Sequence, residues 1–149
     1  MMKKIGEYTV RGTTKSTETE RIQLFDGKFN TGYRITKFQI VTTDPDNSGL
    51  DVYGTLGTEE TMSSTWDLED VTQLAWSSMA NNGSATGPSA APFNLVDRNN
   101  MIVRDLYLYA ETNAAGLNDV SYYIEMDKYE FPTWDGAAIM VRNQSQNVN

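Results

Sequence analysis

Val120-Ser121-Tyr122-Tyr123-Ile124-Glu125-Met126-Asp127 is the most regular stretch of the chain. Val120, Tyr122, Ile124 and Met126 alternate with Ser121, Tyr123, Glu125 and Asp127. A period of two places the first set on a core face and the second on the other face of a β-strand. The same reading extends outward. Tyr8 and Val10 alternate with Glu7, Thr9 and Arg11. Ile22 and Leu24 alternate with Arg21 and Gln23. Leu50, Val52, Gly54 and Leu56 form a further set. Asn100–Glu111 is rich in β-branched and aromatic residues and reads as one long strand. Phe25-Asp26-Gly27 and Asn30-Thr31-Gly32 are turn signals.

Between Tyr33 and Thr43 the phase slips. Tyr33 and Ile35 share one face, Phe38 and Ile40 the other. A β-bulge near Thr36 or Lys37 reconciles them by bringing all four to one side, and burial on both faces does so equally well. Two segments carry helical spacing. Thr65–Gln73, with Ser64 or Thr65 as cap, predicts a short helical turn before a strand across Leu74 and Trp76. Near the end, Pro132 and Thr133 precede Trp134, Ala138 and Val141 at i, i+4, i+7, predicting a short C-terminal helix. Asn81–Pro92 is small and polar and reads as an exposed loop; residues 143–149 read as a loose tail. Many short strands without alternating helices predict one all-β domain over 1–149. The expected form is an antiparallel β-sandwich, jelly-roll-like, with residues 1–20 as an N-terminal arm.

The 149 residues suffice for a single substantial core. Twelve bases against twenty acids give a net charge of −8. The distribution is lopsided: residues 1–40 hold eight bases and four acids, residues 41–149 four bases and sixteen acids. Either these charges neutralise within one monomer, or a basic N-terminal segment docks on an acidic partner surface. For docking the bases to watch are Lys3, Lys4, Arg11, Lys15 and Arg21. An acidic chain is a poor binder of nucleic acid. No apolar run reaches the roughly 20 residues of a membrane helix. The basic start Met1-Met2-Lys3-Lys4 lacks the apolar stretch of a secretion leader.

The chain has no His and no Cys. Ser-His-Asp and Cys-His catalysis, Cys/His zinc sites and disulfides are thereby excluded. Carboxylate pairs remain: Glu59-Glu60, Glu69-Asp70 and Asp67 with Glu69. A glycosidase needs two carboxylates across a cleft, and spacing singles out no pair. Asp44-Pro45-Asp46-Asn47-Ser48-Gly49 has oxygens and a glycine where a calcium loop has them. Thr55 stands where that loop would close with Glu, so a plain turn is the better reading. No catalytic, cofactor or metal site is expected. Tyr8, Tyr122 and Trp134 sit in phase with apolar neighbours and read as core. Tyr107, Tyr109 and Tyr123 mark a second buried face or a contact between subunits.

Three stretches carry a family resemblance. They are Trp66-Asp67-Leu68-Glu69-Asp70 with Gln73-Leu74-Ala75-Trp76, then Val103-Arg104-Asp105-Leu106-Tyr107-Leu108-Tyr109, then Tyr122-Tyr123-Ile124-Glu125 with a terminal helix around Ala137-Ala138-Ile139. Over roughly residues 60–145 the chain resembles the small virion structural proteins of marine tailed phages, most of all capsid decoration (cement) proteins. The resemblance implies a β-sandwich without enzyme activity that binds the major capsid protein on the capsid exterior, often as a homo-oligomer. A tail adaptor or receptor-binding module is the alternative in the same particle. A carboxylate-based carbohydrate-active enzyme is the alternative from another class.

Overall fold

The computed structural model describes residues 2–28, 30–44, 50–80, 93–113 and 119–132. It has eight strands: β1 (Lys3–Lys15), β2 (Thr19–Ile22), β3 (Thr31–Thr42), β4 (Asp51–Gly57), β5 (Gln73–Ala80), β6 (Phe93–Val96), β7 (Leu106–Thr112) and β8 (Asp119–Glu130). They form two antiparallel sheets, β1-β8-β3 and β2-β7-β4-β5-β6. This is a sandwich, and the core lies between its sheets.

β8 is the middle strand of the smaller sheet, paired on both sides. That position explains its clean alternation. Val120, Ile124 and Met126 are fully buried and Tyr122 nearly so. The bulge in β3 lies where the phase slips: Ile35 opposes Met126 and Lys37 opposes Glu125, leaving Thr36 as the extra residue. Its Oγ1 donates to the Glu125 carbonyl at 3.1 Å. The extra residue turns Tyr33, Ile35, Phe38 and Ile40 all toward the core. Val52, Leu56, Leu74, Leu106 and Leu108 fill it from the other sheet. Gly54 leaves room there: a Cβ at this position would lie 2.9 Å from Ile40 Cγ1.

Four expectations need correction. The segment read as an N-terminal arm contributes β1, which pairs with β8 from Lys3 to Lys15. The chain then crosses to the other sheet through Thr17, held at a positive φ of 70° while its amide donates to the Ala110 carbonyl. Tyr8 is half exposed, because its strand is the rim of the sheet; its ring meets Tyr33 edge-on. The helical turn at Thr65–Gln73 does not form. Asp67 Oδ1 captures the Glu69 amide and Asp70 Oδ1 the Thr72 amide, both at 3.0 Å, and such side-chain bonds compete with a helix. Leu68 and Val71, its intended apolar stripe, face solvent.

The fourth correction concerns Asn100–Glu111. Its strand begins only at Leu106. Ile102 makes an isolated bridge to Tyr33 in the small sheet, and Met101 and Val103 pack with Phe131 in a separate apolar cluster. The run is apolar throughout because it is buried against two different partners. The strand across Leu74 and Trp76 is present as β5. The expected C-terminal helix with Trp134, the tail 143–149, the loop 81–92 and most of Asp44–Gly49 lie outside the described residues.

Candidate functional site

Strand period and register distribute four of the five N-terminal bases, Lys3, Lys4, Arg11 and Lys15, along one rim. β1 is an edge strand, and 12 residue steps separate Lys3 from Lys15, about 40 Å at ~3.3 Å per step. Lys3, Arg11 and Lys15 stand in register with Glu130, Tyr123 and Asp119 of β8. Among the described residues, none of these three makes an ion pair. Lys4 does: its Nζ lies 2.7 Å from Glu7 and 3.2 Å from Asp127. Its hydrogen bond to Glu7, then that to Asp127, raises the Lys4 pKa.

Arg21 is not on this rim. It stands on β2 in the larger sheet, and its guanidinium is bound to Asp105 through Nε at 2.7 Å and through Nη2. Asp105 is buried, and its Oδ1 also accepts the Leu24 and Phe25 amides at 3.0 and 3.1 Å. Burial works to raise the Asp105 pKa. The Phe25 amide, Arg21 and the Leu24 amide outweigh it and hold the carboxyl below its ordinary value. Arg21 thus serves the junction between the β2 end and the start of β7. The structure brings together Lys3, Lys4, Arg11 and Lys15 on one strand and separates Arg21 from them.

Two bases that sequence reading passed over join the outer face of the small sheet. Arg34 stacks over Tyr129, 5.0 Å from the ring centre, and Lys37 over Tyr123 at 5.6 Å. Tyr123 Oη donates to Glu125 at 2.9 Å. The result is a flat, mixed-charge face carrying two aromatic rings. The alternation of β3 held the signal, but only the bulge at Thr36 tells which face Lys37 takes. Tyr123 therefore belongs to an exposed face, while Tyr107 and Tyr109 lie on the outer face of the larger sheet.

That second outer face is partly roofed by the segment between β4 and β5. Trp66 from the segment stacks on Phe93 of β6 at 5.8 Å and meets Tyr53 edge-on at 6.2 Å. Beneath it Tyr53 and Tyr109 both donate to Glu111. Burial, then Glu111, pushes the Tyr53 hydroxyl up to about 12. Leu68 on the roofing segment, and Phe93 and Leu95 on β6, remain exposed.

The carboxylates do not meet as sequence neighbours. The structure instead sets Glu59 beside Asp70 in a cleft of ≈ 150 Å³ with Thr72 and Gln73. Burial, then the Asp70 charge, raises the Glu59 pKa. The volume is half or less of the roughly 300–1,000 Å³ of small-molecule sites. Among the described residues no group of three acids is placed to hold a metal ion. No described helix is long and apolar enough to cross a membrane. No protein-family model matches the chain, and no curated protein matches its sequence.

Proposed function

We propose that the chain is a non-enzymatic virion structural protein that binds and stabilises a capsid shell from outside, as a homo-oligomer. The observation that carries the reading is the strand order. An eight-stranded jelly roll runs 1-8-3-6 in one sheet and 2-7-4-5 in the other, and viral capsid domains are among its users. Here β1-β8-β3 and β2-β7-β4-β5 follow that order. β6 is bonded to β5 while also packing against β3. Fold alone does not dictate function; the resemblance across residues 60–145 and the charge layout add to it.

The shell contact in this reading is electrostatic. Lys3 and Lys15 sit at the two ends of the β1 rim, with Arg11 between them, and the partner is an acidic surface of the major capsid protein. Lys4 and Arg21 contribute less, because Glu7, Asp127 and Asp105 already neutralise them. Many weak contacts repeated over a shell add up without any one being strong. Neither nucleic acid nor membrane enters this reading.

Quantitative mass spectrometry of purified particles, normalised to the major capsid protein, tests the placement. On the order of hundreds of copies is the expected count for a shell component. A count near roughly six or twelve, the order of a symmetric ring, would move the protein to the tail. Absence from the particle would overturn the proposal. Within it, Lys3→Glu with Lys15→Glu should weaken capsid binding and flatten its salt dependence, since fewer screened attractions remain. Unchanged occupancy would remove the electrostatic contact.

A further inference from the structure

The two edges of the small sheet are treated differently. The outer edge of β3 is met by residues 98–102. Tyr33 and Ile102 exchange backbone hydrogen bonds at 2.8 Å in both directions, and Arg98 Nη2 donates to the Thr36 carbonyl at 3.0 Å. The outer edge of β1 meets no strand among the described residues. It is 13 residues long and contains no proline. Ile5 and Tyr8 are each almost half exposed on it. A long open edge of this kind is a template for pairing with another strand.

The sequence of that edge is complementary to itself. Gly6-Glu7-Tyr8-Thr9-Val10-Arg11-Gly12 reads, from either end, as glycine, charge, apolar, threonine, apolar, charge, glycine, and the two charges are opposite. A two-fold axis perpendicular to the sheet through Thr9 pairs two copies of this strand antiparallel. Glu7 then opposes Arg11 of the second copy twice over, Tyr8 opposes Val10, and glycine opposes glycine. Inward side chains meet inward ones, as a continuous sheet requires. Moving the axis to Tyr8 sets Glu7 against Thr9. Moving it to Val10 sets Glu7 against Thr13. Moving it to Arg11 brings the two arginines face to face. Of these four centres, Thr9 alone opposes Glu7 to Arg11. The bulge between Lys4 and Gly6 ends the regular register at the first glycine.

We propose that two copies of this chain associate edge to edge through β1, centred on Thr9, into one six-stranded sheet ordered β3-β8-β1-β1-β8-β3. The pairing leaves Lys3 and Lys15 outside the paired segment for the shell contact and takes Arg11 out of it. It specifies the homo-oligomer of the reading above but stands without it. Dimerisation is read on the isolated protein and capsid binding on particles, so either can fail alone.

The test uses the full chain, whose lack of cysteine gives a clean background. Sedimentation of the wild type should give a dimer. Glu7→Arg alone, or Arg11→Glu alone, should weaken it at least about tenfold by setting like charges opposed. The combined exchange, Glu7→Arg with Arg11→Glu, should restore it. Thr9→Cys should form an intermolecular disulfide under mild oxidation, because opposed Cα atoms in an antiparallel pair lie about 4.5–5.5 Å apart. Thr13→Cys, four residues from the axis, should not. A wild-type monomer at high concentration, equal cross-linking of both cysteine variants, or no rescue by the double exchange would each overturn the proposal. Each variant's far-ultraviolet circular dichroism checks that it has folded.

Discussion

Replacing Asp105 tests whether a buried carboxylate holds the β2–β3 connection to β7. Its Oδ1 takes two amides, from Leu24 and Phe25, and its Oδ2 takes Arg21. Asp105→Ala leaves both amides without their acceptor. An abandoned, partly buried donor costs about 1–2 kcal/mol, so the two together cost about 2–4 kcal/mol. At ~2–4 °C per kcal/mol for a chain of this size, Tm should fall by roughly 5–15 °C. Asp105→Asn keeps an oxygen for the amides but turns a donor toward Arg21, and should cost about half as much. Arg21→Ala should cost less than either, because its side chain is 60% exposed and water replaces it. Asp105 titrates below its ordinary pKa in the fold, so its contribution is complete above the unfolded value of about 4. It is lost as the pH falls through the native value. The gap between wild type and Asp105→Asn should therefore be full at pH 7 and close toward pH 2. Urea titrations of the four proteins at several pH values give the answer. An Arg21→Ala loss equal to that of Asp105→Ala, or a gap that widens in acid, would refute the reasoning.

Two further predictions concern the small sheet. Because Thr36 is the extra residue, deleting it joins Ile35 to Lys37 in plain register with Met126 and Glu125 and keeps Tyr33, Ile35, Phe38 and Ile40 inward; the deletion variant should fold by circular dichroism and lose well under the roughly 3–6 kcal/mol that turning two large side chains outward would cost at about 1.5–3 kcal/mol each. Lys128 lies over the Tyr8 and Tyr33 rings and 3.2 Å from Asp26. Lys128→Met should lose about 1–2 kcal/mol at pH 7 in a urea titration. Burial works to lower the Lys128 pKa, but Asp26 and Tyr33 raise it on balance. The Lys128 contribution is thus complete below about pH 10.4 and lost as the pH rises through the higher native value, so the Lys128→Met deficit should shrink only in strong alkali.

The parts legible in the sequence were those governed by period two. β8 showed itself because a strand paired on both sides and buried on one face has no freedom to break its alternation. The bulge in β3 showed itself because a phase slip between apolar pairs has few other remedies. Thr65–Gln73 misled because helical spacing is a weak signal beside Asp67 and Asp70, whose carboxylates capture nearby amides. Asn100–Glu111 misled because an apolar run does not say how many partners bury it. Tyr8 misled because inward direction is not burial when the strand is at a rim.

The charge layout divides the same way. Composition and spacing already show that the bases gather in residues 1–40, that His and Cys are absent and that β-strands dominate. These depend on residue identity and local period alone. Which bases remain unpaired was decided only by the tertiary structure. Arg21 meets Asp105 across 84 positions and Lys4 meets Asp127 across 123, distances over which sequence carries no register. The self-complementary Gly6–Gly12 segment combines both: its symmetry is written in the residues, but only the pairing of β1 with β8 on one side leaves the other edge open to use it.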